Sequence, residues 1–462
     1  MTSYTEKELF ESVPVPRAVA ALAVPTIISQ IVAIIYNLAD TFFIGQMGNP
    51  YMVAAVTLVY PWFNMLTAIG NLFGIGGSSV IARMLGAGRD CEVKFVSAFS
   101  VYGGMVFTLA FSLGTWFFRE PLLEFLGASS ENIRYSENYM FWVVVLGGIP
   151  TMLSMTMSHL IRSEGHAKAA GAGMMCGGIL NIILDPLLIF AAGMGFTGAA
   201  VATALSNLAS LVFLTGAYVK MRKHLALSLN PVYMGFRYMK PVLSVGAASA
   251  VTVSLASFSN IVIVKLAAAY GDIPVAAYGI VKKIDQFPLG ICQGLYQGFM
   301  PLVGYNYASG DYRRMRAVSV FSWKTALIIG GTFAVCFLVT APEIIRAFIR
   351  DAETERLGAD FLRIACLAVP FTAVNALVIY TLQAMGKGAL SGVLSVCRQG
   401  LLNIPVLIIM NMAVGLYGMI WTQLIIELIM IPATLGMYAV TWKKITGGNN
   451  KNESDPCKRK SS

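Results

Sequence analysis

The stretch AVAALAVPTIISQIVAIIYNLAD, residues 18–40, carries no charged side chain until its last residue, Asp40. Its apolar length suffices for a helix to cross the hydrocarbon core of a bilayer, which takes roughly 20 residues. Similar runs recur along the whole chain, which is 57% hydrophobic and only 12% charged, against about 25% charged residues in an average soluble protein. These features predict an all-α polytopic membrane protein.

Twelve apolar runs predict twelve transmembrane helices in two six-helix bundles. The predicted spans are residues 17–43, 52–80, 93–118, 137–160, 167–192, 196–219, 239–268, 276–301, 316–341, 358–384, 389–411 and 415–441. This division predicts an N-terminal segment (1–16), a first bundle (17–219), a basic linker (220–238), a second bundle (239–441) and a polar, disordered tail (442–462).

Lysine and arginine residues concentrate in alternate loops. The loops that carry them contain Arg83, Arg89 and Lys94; Arg162 and Lys168; Lys220, Arg222, Lys223, Arg237 and Lys240; and Arg313, Arg314 and Arg316. Because loops rich in basic residues stay in the cytoplasm, we expect both termini there and the protein in the plasma (inner) membrane. This bias accounts for the net charge of +10, so no nucleic-acid partner is indicated, and we expect a monomer in the lipid bilayer.

The two halves of the chain resemble each other. An offset of 222 residues aligns ARMLGAGRD (82–90) with GYNYASGDY (304–312) and takes Asn181 to Asn403. Each half holds an even number of spans, so both enter the membrane from the same side and the repeats are parallel. Parallel duplications of this kind are typical of transporters, whose substrate sites lie between the repeats.

Three stretches in this order resemble a known family. YNLADTFFIG (36–45), ARMLGAG (82–88) and LNIILDPLLIF (180–190) are similar to the multidrug and toxic compound extrusion (MATE) family, closest to its MepA-like branch. The resemblance covers all twelve spans. It implies a fold of two pseudo-symmetric six-helix bundles and the export of drugs coupled to a cation.

Polar side chains recur at helical spacing in three spans of the first half. Asn37 and Asp40 share a face of the first span, and Asn181 and Asp185 share one of the fifth. The predicted coupling-ion set is Tyr36, Asn37, Asp40, Asn181, Asp185, Thr203 and Asn207. The 222-residue offset places Asp40 on Val262 and Asp185 on Leu407, so the second half has the fold without these acids.

Two carboxylates in a poorly hydrated pocket cannot both ionise cheaply. We therefore expect the pocket to take up a proton or a sodium ion, and the shared carboxylates favour H⁺ while leaving Na⁺ open. No Lys or Arg is expected nearby, so a cation fits and an anion does not. Pro25 and Pro186 are the predicted hinges of the first and fifth spans. The resulting hypothesis is an H⁺ or Na⁺ antiporter that works by alternating access.

A stripe of amides in the eighth span predicts a substrate path. Its glutamines have counterparts of similar chemistry in the first half under the same offset. The predicted substrate path consists of Asn64, Asn71, Gln286, Gln293, Tyr296, Gln297 and Glu427. Glu427 has no obvious basic partner in the sequence. Together with many methionines and aromatics, these residues favour lipophilic, often cationic small molecules as substrates.

The sequence argues against several other functions. No Cys or His pair has metal-ligand spacing, so we expect no cofactor and no metal besides the coupling ion. GIGGSS (74–79) lacks the phosphate-loop pattern, and its small residues predict close helix contacts instead. No DDxxD-type run indicates an enzyme acting on prenyl diphosphates, and acids confined to one bundle suit alternating access better than a channel. A flippase or exporter of lipid-linked or other endogenous metabolites stays open as the alternative, although it would want a basic cavity and the spans are poor in buried arginine.

Overall fold

Each apolar run forms a helix, because backbone N–H and C=O groups in hydrocarbon must bond to one another and an α-helix achieves this within one segment. A computed structural model of the chain describes residues 5–47, 49–126, 128, 131–348 and 351–453. Within these ranges the chain forms helices joined by short connections, and no strand occurs in them.

The first half of the described chain holds nine α-helices. They are α1 (Glu6–Glu11), α2 (Val15–Gly45), α3 (Pro50–Gly86), α4 (Asp90–Phe117), α5 (Arg119–Leu126), α6 (Ile133–Met140), α7 (Gly148–Ser163), α8 (Ala167–Pro186) and α9 (Phe196–Met221). Two π-helical segments, Phe141–Leu146 and Leu187–Ala191, extend α6 and α8.

The second half of the described chain holds seven α-helices after a linker with two 3₁₀ turns, Pro231–Tyr233 and Phe236–Tyr238. They are α10 (Met239–Ala268), α11 (Asp272–Ala308), α12 (Tyr312–Phe348), α13 (Ala352–Ala384), α14 (Gly388–Val396), α15 (Asn403–Val414) and α16 (Leu416–Glu453). A π-helical segment, Cys397–Leu401, lies between α14 and α15.

Ten helical segments of the described chain are long and apolar enough to cross a membrane. The pair Ile133–Leu146 and Gly148–Ser163, bent by 46°, makes an eleventh if it is counted as one span. The predicted eighth span lies in α11, which is 37 residues long and carries Lys282, Lys283 and Asp285 in its apolar sequence. Each of the twelve predicted spans therefore falls on helix, and the all-α polytopic fold class is confirmed.

The two bundles meet through glycines. α11 packs Gly294 on α2, where an added Cβ would lie 2.5 Å from the Cα atom of Ile27. α10 packs Gly246 on α3, where an added Cβ would lie 1.8 Å from the carbonyl oxygen of Leu72. Backbones approach this closely only where the side chain is a hydrogen atom, as is common between membrane helices.

The bundles also join at the predicted cytoplasmic ends of their helices. Gly86 of α3 packs on Tyr305 of α11, with a Cβ at Gly86 placed 2.1 Å from the Tyr305 carbonyl oxygen. The Ser79 hydroxyl donates a hydrogen bond of 2.7 Å to the carbonyl oxygen of Gln383 in α13. The molecule is thus closed between its bundles on this side.

The N-terminal segment lies against the ends of both bundles. Thr5 and Glu8 form a capping box that starts α1. Phe10 is buried and stacks on Tyr305 of the second bundle, with ring centroids 4.8 Å apart. Phe10 also contacts Gly165 of the first bundle, where a Cβ would lie 3.4 Å from the Phe10 ring. We call residues 5–13 the N-terminal strap.

Arg314 at the start of α12 holds the strap through its main chain. Its Nε donates to the Phe10 carbonyl oxygen at 2.7 Å, and its Nη2 donates to those of Val13 at 2.6 Å and Leu9 at 3.3 Å. Charge-assisted hydrogen bonds of this kind are stronger than neutral ones. The strap is therefore fixed to the second bundle through its backbone at these three positions, in addition to the burial of their side chains.

The C-terminal boundary differs from the prediction. Disorder was predicted from residue 442, but α16 continues to Glu453. The helix persists because Trp442 and Ile445 pack against the large buried cluster that contains Phe299. Residues 454–462 of the predicted tail lie outside the described residues.

We expect Gly246→Ala to weaken the contact between the bundles, because the new methyl group overlaps the Leu72 carbonyl. Overpacking of this type costs about 1–3 kcal/mol, so thermal denaturation of the purified protein in detergent should shift to lower temperature. Gly279→Ala in α11 is the matched control, since its Cβ meets no described atom within 4 Å. Equal melting temperatures for the two variants would contradict this packing.

Candidate functional site

Glycines in α8 bring the fifth span into close contact with the first. Gly171 packs on Pro25, where a Cβ would lie 2.7 Å from the Pro25 carbonyl oxygen. Gly178, two turns along, packs on Tyr36, where a Cβ would lie 3.1 Å from the ring. Gly177 packs in the same way on the sixth span, α9. One glycine-rich helix is therefore held between two others, and the polar residues of all three converge.

The two predicted acids lie in the resulting pocket. Asp185 is fully buried and accepts a hydrogen bond of 3.4 Å from Asn181 Nδ2. Asp40 is half-buried and lies within electrostatic range of Asp185. Tyr139, from α6, lies within range of both carboxylates. The structure thus brings together the acids of the first and fifth spans.

Three oxygen atoms in this pocket have no hydrogen-bond partner among the described residues. They are Asp40 Oδ1, Asp185 Oδ2 and Asn181 Oδ1. An unsatisfied buried acceptor costs about 1–3 kcal/mol, and more if it is charged. All three are hard oxygen donors, which suit a small cation or, on the carboxylates, a proton.

A cavity of about 310 Å³ opens beside Asp40. From the predicted coupling-ion set it is lined by Tyr36, Asn37, Asp40 and Thr203, and Gln286 of the predicted substrate path also lines it. Tyr139 lines it too, but it follows the polar run Ser136, Glu137 and Asn138, and no helical spacing in the sequence connects it with the other members of the set.

Lys283 also lines this cavity, which corrects the expectation that no basic residue lies near the acids. The residue comes from α11 of the other half, and no local pattern in the first half indicates its approach. No ion pair joins Lys283 to an acid within the described ranges.

A second cavity, of about 220 Å³, adjoins the first. Tyr36, Asn37, Tyr60 and Phe63 line both. The second cavity is also lined by Asn64, Asn71, Gln293 and Gln297 of the predicted substrate path, and by His159 and Arg162. The amides predicted from both halves therefore share one space between the bundles.

Asn207 lines this second cavity together with Tyr36 and Asn37, and it does not line the first, where Asp40 and Thr203 lie. Asn181 and Asp185 line neither cavity. Asn207 lies one helical turn beyond Thr203 along α9, toward the predicted cytoplasmic end. The same spacing that puts the two residues on one face puts them at different depths.

Tyr296 of the predicted substrate path lines neither cavity. It stacks on Tyr380 of α13, with ring centroids 4.0 Å apart. Its position beside the glutamine stripe, one residue from Gln297, turns it toward the inside of the second bundle.

Glu427 also requires a correction. It is fully buried and forms an ion pair with Arg398, with Nη2 and Oε1 2.6 Å apart. Asn375 Nδ2 donates to the same carboxylate at 2.7 Å and Gln423 Nε2 at 2.8 Å. The acid predicted without a partner is thus fully bonded within the second bundle and lines neither cavity.

The equivalents of the first-bundle acids are apolar and packed together. Val262 and Leu407, reached from Asp40 and Asp185 by the 222-residue offset, belong to one hydrophobic cluster with Met419. The offset therefore pairs positions that neighbour each other in both bundles, and only the first bundle places carboxylates there.

Comparison with known proteins gives the same duplication. The family model MatE matches residues 25–187 and again residues 248–409, one match in each half of the chain.

The chain belongs to the MATE family.

Curated relatives of this MATE chain carry the name Multidrug export protein MepA. The protein of that name from Staphylococcus saprophyticus is 32% identical over 423 residues, which cover 91% of this chain and 92% of the relative. That from Staphylococcus aureus strain MSSA476 is 31% identical over 421 residues, covering 90% and 92%. The resemblance found in the sequence is thereby confirmed, and the protein is a transporter rather than an enzyme.

Solved structures share the two-lobed fold. A multidrug resistance MATE family transporter in an outward-facing conformation superposes with a TM-score of 0.90 at 21% identity, over 97% of this chain and 100% of that one. The Vibrio cholerae MATE transporter VcmN in its bent form superposes with a TM-score of 0.84 at 20% identity, over 95% and 97%.

We expect Glu427→Gln to destabilise the protein by about 3–5 kcal/mol, because it leaves the buried Arg398 charge unpaired. Thermal denaturation in detergent measures the loss, and the double variant with Arg398→Met should recover most of it. If Glu427 instead contacts substrate, the single variant will keep its melting temperature and lose affinity for a cationic dye.

Proposed function

We propose that this chain is an antiporter that exports lipophilic, often cationic, drugs and toxins in exchange for H⁺ or Na⁺. The observation that carries the coupling is the first-bundle pocket, where two carboxylates and an amide leave three buried oxygens unsatisfied. The relatives named Multidrug export protein MepA support drugs as the cargo.

In this proposal the coupling ion acts through α2. An ion that enters from outside neutralises Asp40 and Asp185 and lets α2 repack against α8 about its hinge at Pro25. Ile27 and Ile34 of the same helix pack against glycines of α11. A shift of α2 therefore changes the packing at the contact between the bundles. The bundles then expel substrate outward, and release of the ion to the cytoplasm resets the carrier.

The substrate occupies the adjoining cavities in this proposal. Tyr36, Tyr60 and Phe63 line both and offer aromatic faces to an organic cation. Asp40 supplies a negative charge at one end. Amides such as Asn64 and Gln293 offer hydrogen bonds that adapt to ligands of different shape.

The alternative of a flippase for lipid-linked metabolites is not favoured by the relatives, which are named drug exporters. A flippase would also want a basic cavity, but of the two buried arginines of the described spans, Arg398 is neutralised by Glu427. From the distribution of its basic residues we infer that the protein lies in the plasma membrane with both termini in the cytoplasm. We further propose that it acts as a monomer.

We expect Asp40→Asn and Asp185→Asn each to reduce ion-driven efflux about tenfold or more, because an amide carries no negative charge for the bound ion to neutralise. The measurement is efflux of ethidium from proteoliposomes under an H⁺ gradient and, separately, a Na⁺ gradient, which also identifies the ion. Asp360→Asn is the control, an acid that is paired with Arg363 at the surface. Undiminished coupled efflux in both pocket variants would refute the proposal.

A further inference from the structure

Arg162 in the last turn of α7 is buried, with only 3% of its surface exposed, although the sequence analysis assigned it to a loop. Its Nη1 donates to Gln297 Oε1 at 3.2 Å and lies 3.3 Å from His159 Nδ1. Its Nη2 donates to Ser158 Oγ at 3.1 Å. Its Nε has no hydrogen-bond partner among the described residues.

These partners are neutral or accept only weakly, and no ion pair joins Arg162 to an acid in the part of the chain that the structure describes. A guanidinium group stays charged in proteins, and a buried charge is costly unless an opposite charge is close. Arg398 shows the usual solution in the same molecule, because it lies against Glu427. Arg162 lacks the equivalent counter-charge.

Arg162 lines the second cavity, and Asp40 lines the first. The two cavities share the walls formed by Tyr36, Tyr60 and Phe63. The combined space therefore has the Arg162 guanidinium at one end, Asp40 with the exposed Lys283 at the other, and aromatic rings between them. Lys283 forms no ion pair with Asp40 within the described ranges.

We propose that Arg162 is a specificity-determining residue that binds the carboxylate of zwitterionic amphiphiles in the substrate cavity. The free Nε–H and the adjacent Nη groups offer the fork that matches a carboxylate. The aromatic walls hold the apolar body of the ligand, and Asp40 attracts its cationic group. A purely cationic ligand gains the Asp40 end alone and is repelled at the Arg162 end.

This inference rests on the proposed function, because it names the substrate class of the same cavity. Within that function it assigns the residue that recognises the carboxylate of ligands carrying both charges. The guanidinium binds the carboxylate of the ligand, and that carboxylate supplies the counter-charge that Arg162 lacks among the described residues.

The test compares two dyes that differ in one group. Rhodamine B carries a free carboxylate and is zwitterionic, whereas its ethyl ester is a cation of the same ring system. Binding of each to the purified full-length protein is measured by fluorescence polarisation. We expect Arg162→Gln to weaken binding of rhodamine B about tenfold or more and to leave binding of the ester unchanged or tighter.

Two control variants accompany this measurement. Arg162→Lys keeps the charge and should retain most of the preference for the free acid. Lys168→Gln makes the same change in net charge at an exposed position and should affect neither dye. Melting temperatures of all variants are recorded. If Arg162→Gln does not fold, the inference is tested by whether the unaltered protein binds rhodamine B more tightly than the ester and whether Arg162→Lys keeps that ratio of affinities.

Three results would overturn the inference. They are an equal loss of both dyes in Arg162→Gln, unchanged rhodamine B binding in that variant, and loss of the preference for the free acid when chloride replaces gluconate, which would assign Arg162 to a small inorganic anion. The proposed function fails separately, if proteoliposomes show no ion-driven efflux of ethidium. A preference that tracks Arg162 would stand even then, because binding is measured without a gradient.

Discussion

A carboxylate in the hydrocarbon layer is stable only if it is neutralised, bonded or hydrated, since an uncompensated one costs several kcal/mol. The first bundle holds two such groups, Asp40 and Asp185, with unsatisfied oxygens on both. The glycines of α8 allow this arrangement, because they let the fifth span approach the first, and the two acids then lie within electrostatic range of each other. The fold therefore has a built-in requirement for a small positive ion at one defined place.

The two bundles treat their buried charges differently. The second bundle neutralises its acid internally, through Arg398 and Glu427, and fills the positions equivalent to Asp40 and Asp185 with Val262 and Leu407. In the first bundle, Asp40 and Asp185 form no ion pair with a base, and Arg162 forms none with an acid, among the residues that the structure describes. The two bundles thus share one helical fold, but within the described ranges only the first places unpaired acids where an ion can bind.

The parts that were predictable from sequence depend on local features. Apolar length gave the twelve spans, and the spacing of Asn37 with Asp40 and of Asn181 with Asp185 indicated which faces would meet. Contacts between distant helices were not predictable in this way: Lys283 reaches the acid cavity from the other half, and Arg162 bonds to Gln297 across 135 positions. An apolar helix has several faces of similar composition, and packing against neighbouring helices decides which face points into the bundle. For this reason Glu427 and Tyr296, which were predicted in the substrate path, line neither cavity.

The N-terminal strap is held to a distant part of the chain by hydrogen bonds to its backbone. The three hydrogen bonds that Arg314 donates to the strap all go to backbone carbonyl oxygens. Every residue type carries this carbonyl group. A substitution at the exposed Ser12 would leave these three hydrogen bonds in place, whereas Glu11 adds a contact of its own by accepting a hydrogen bond of 2.7 Å from the Tyr305 hydroxyl. All three of these bonds depend on one guanidinium, which lies more than 300 positions away in the chain.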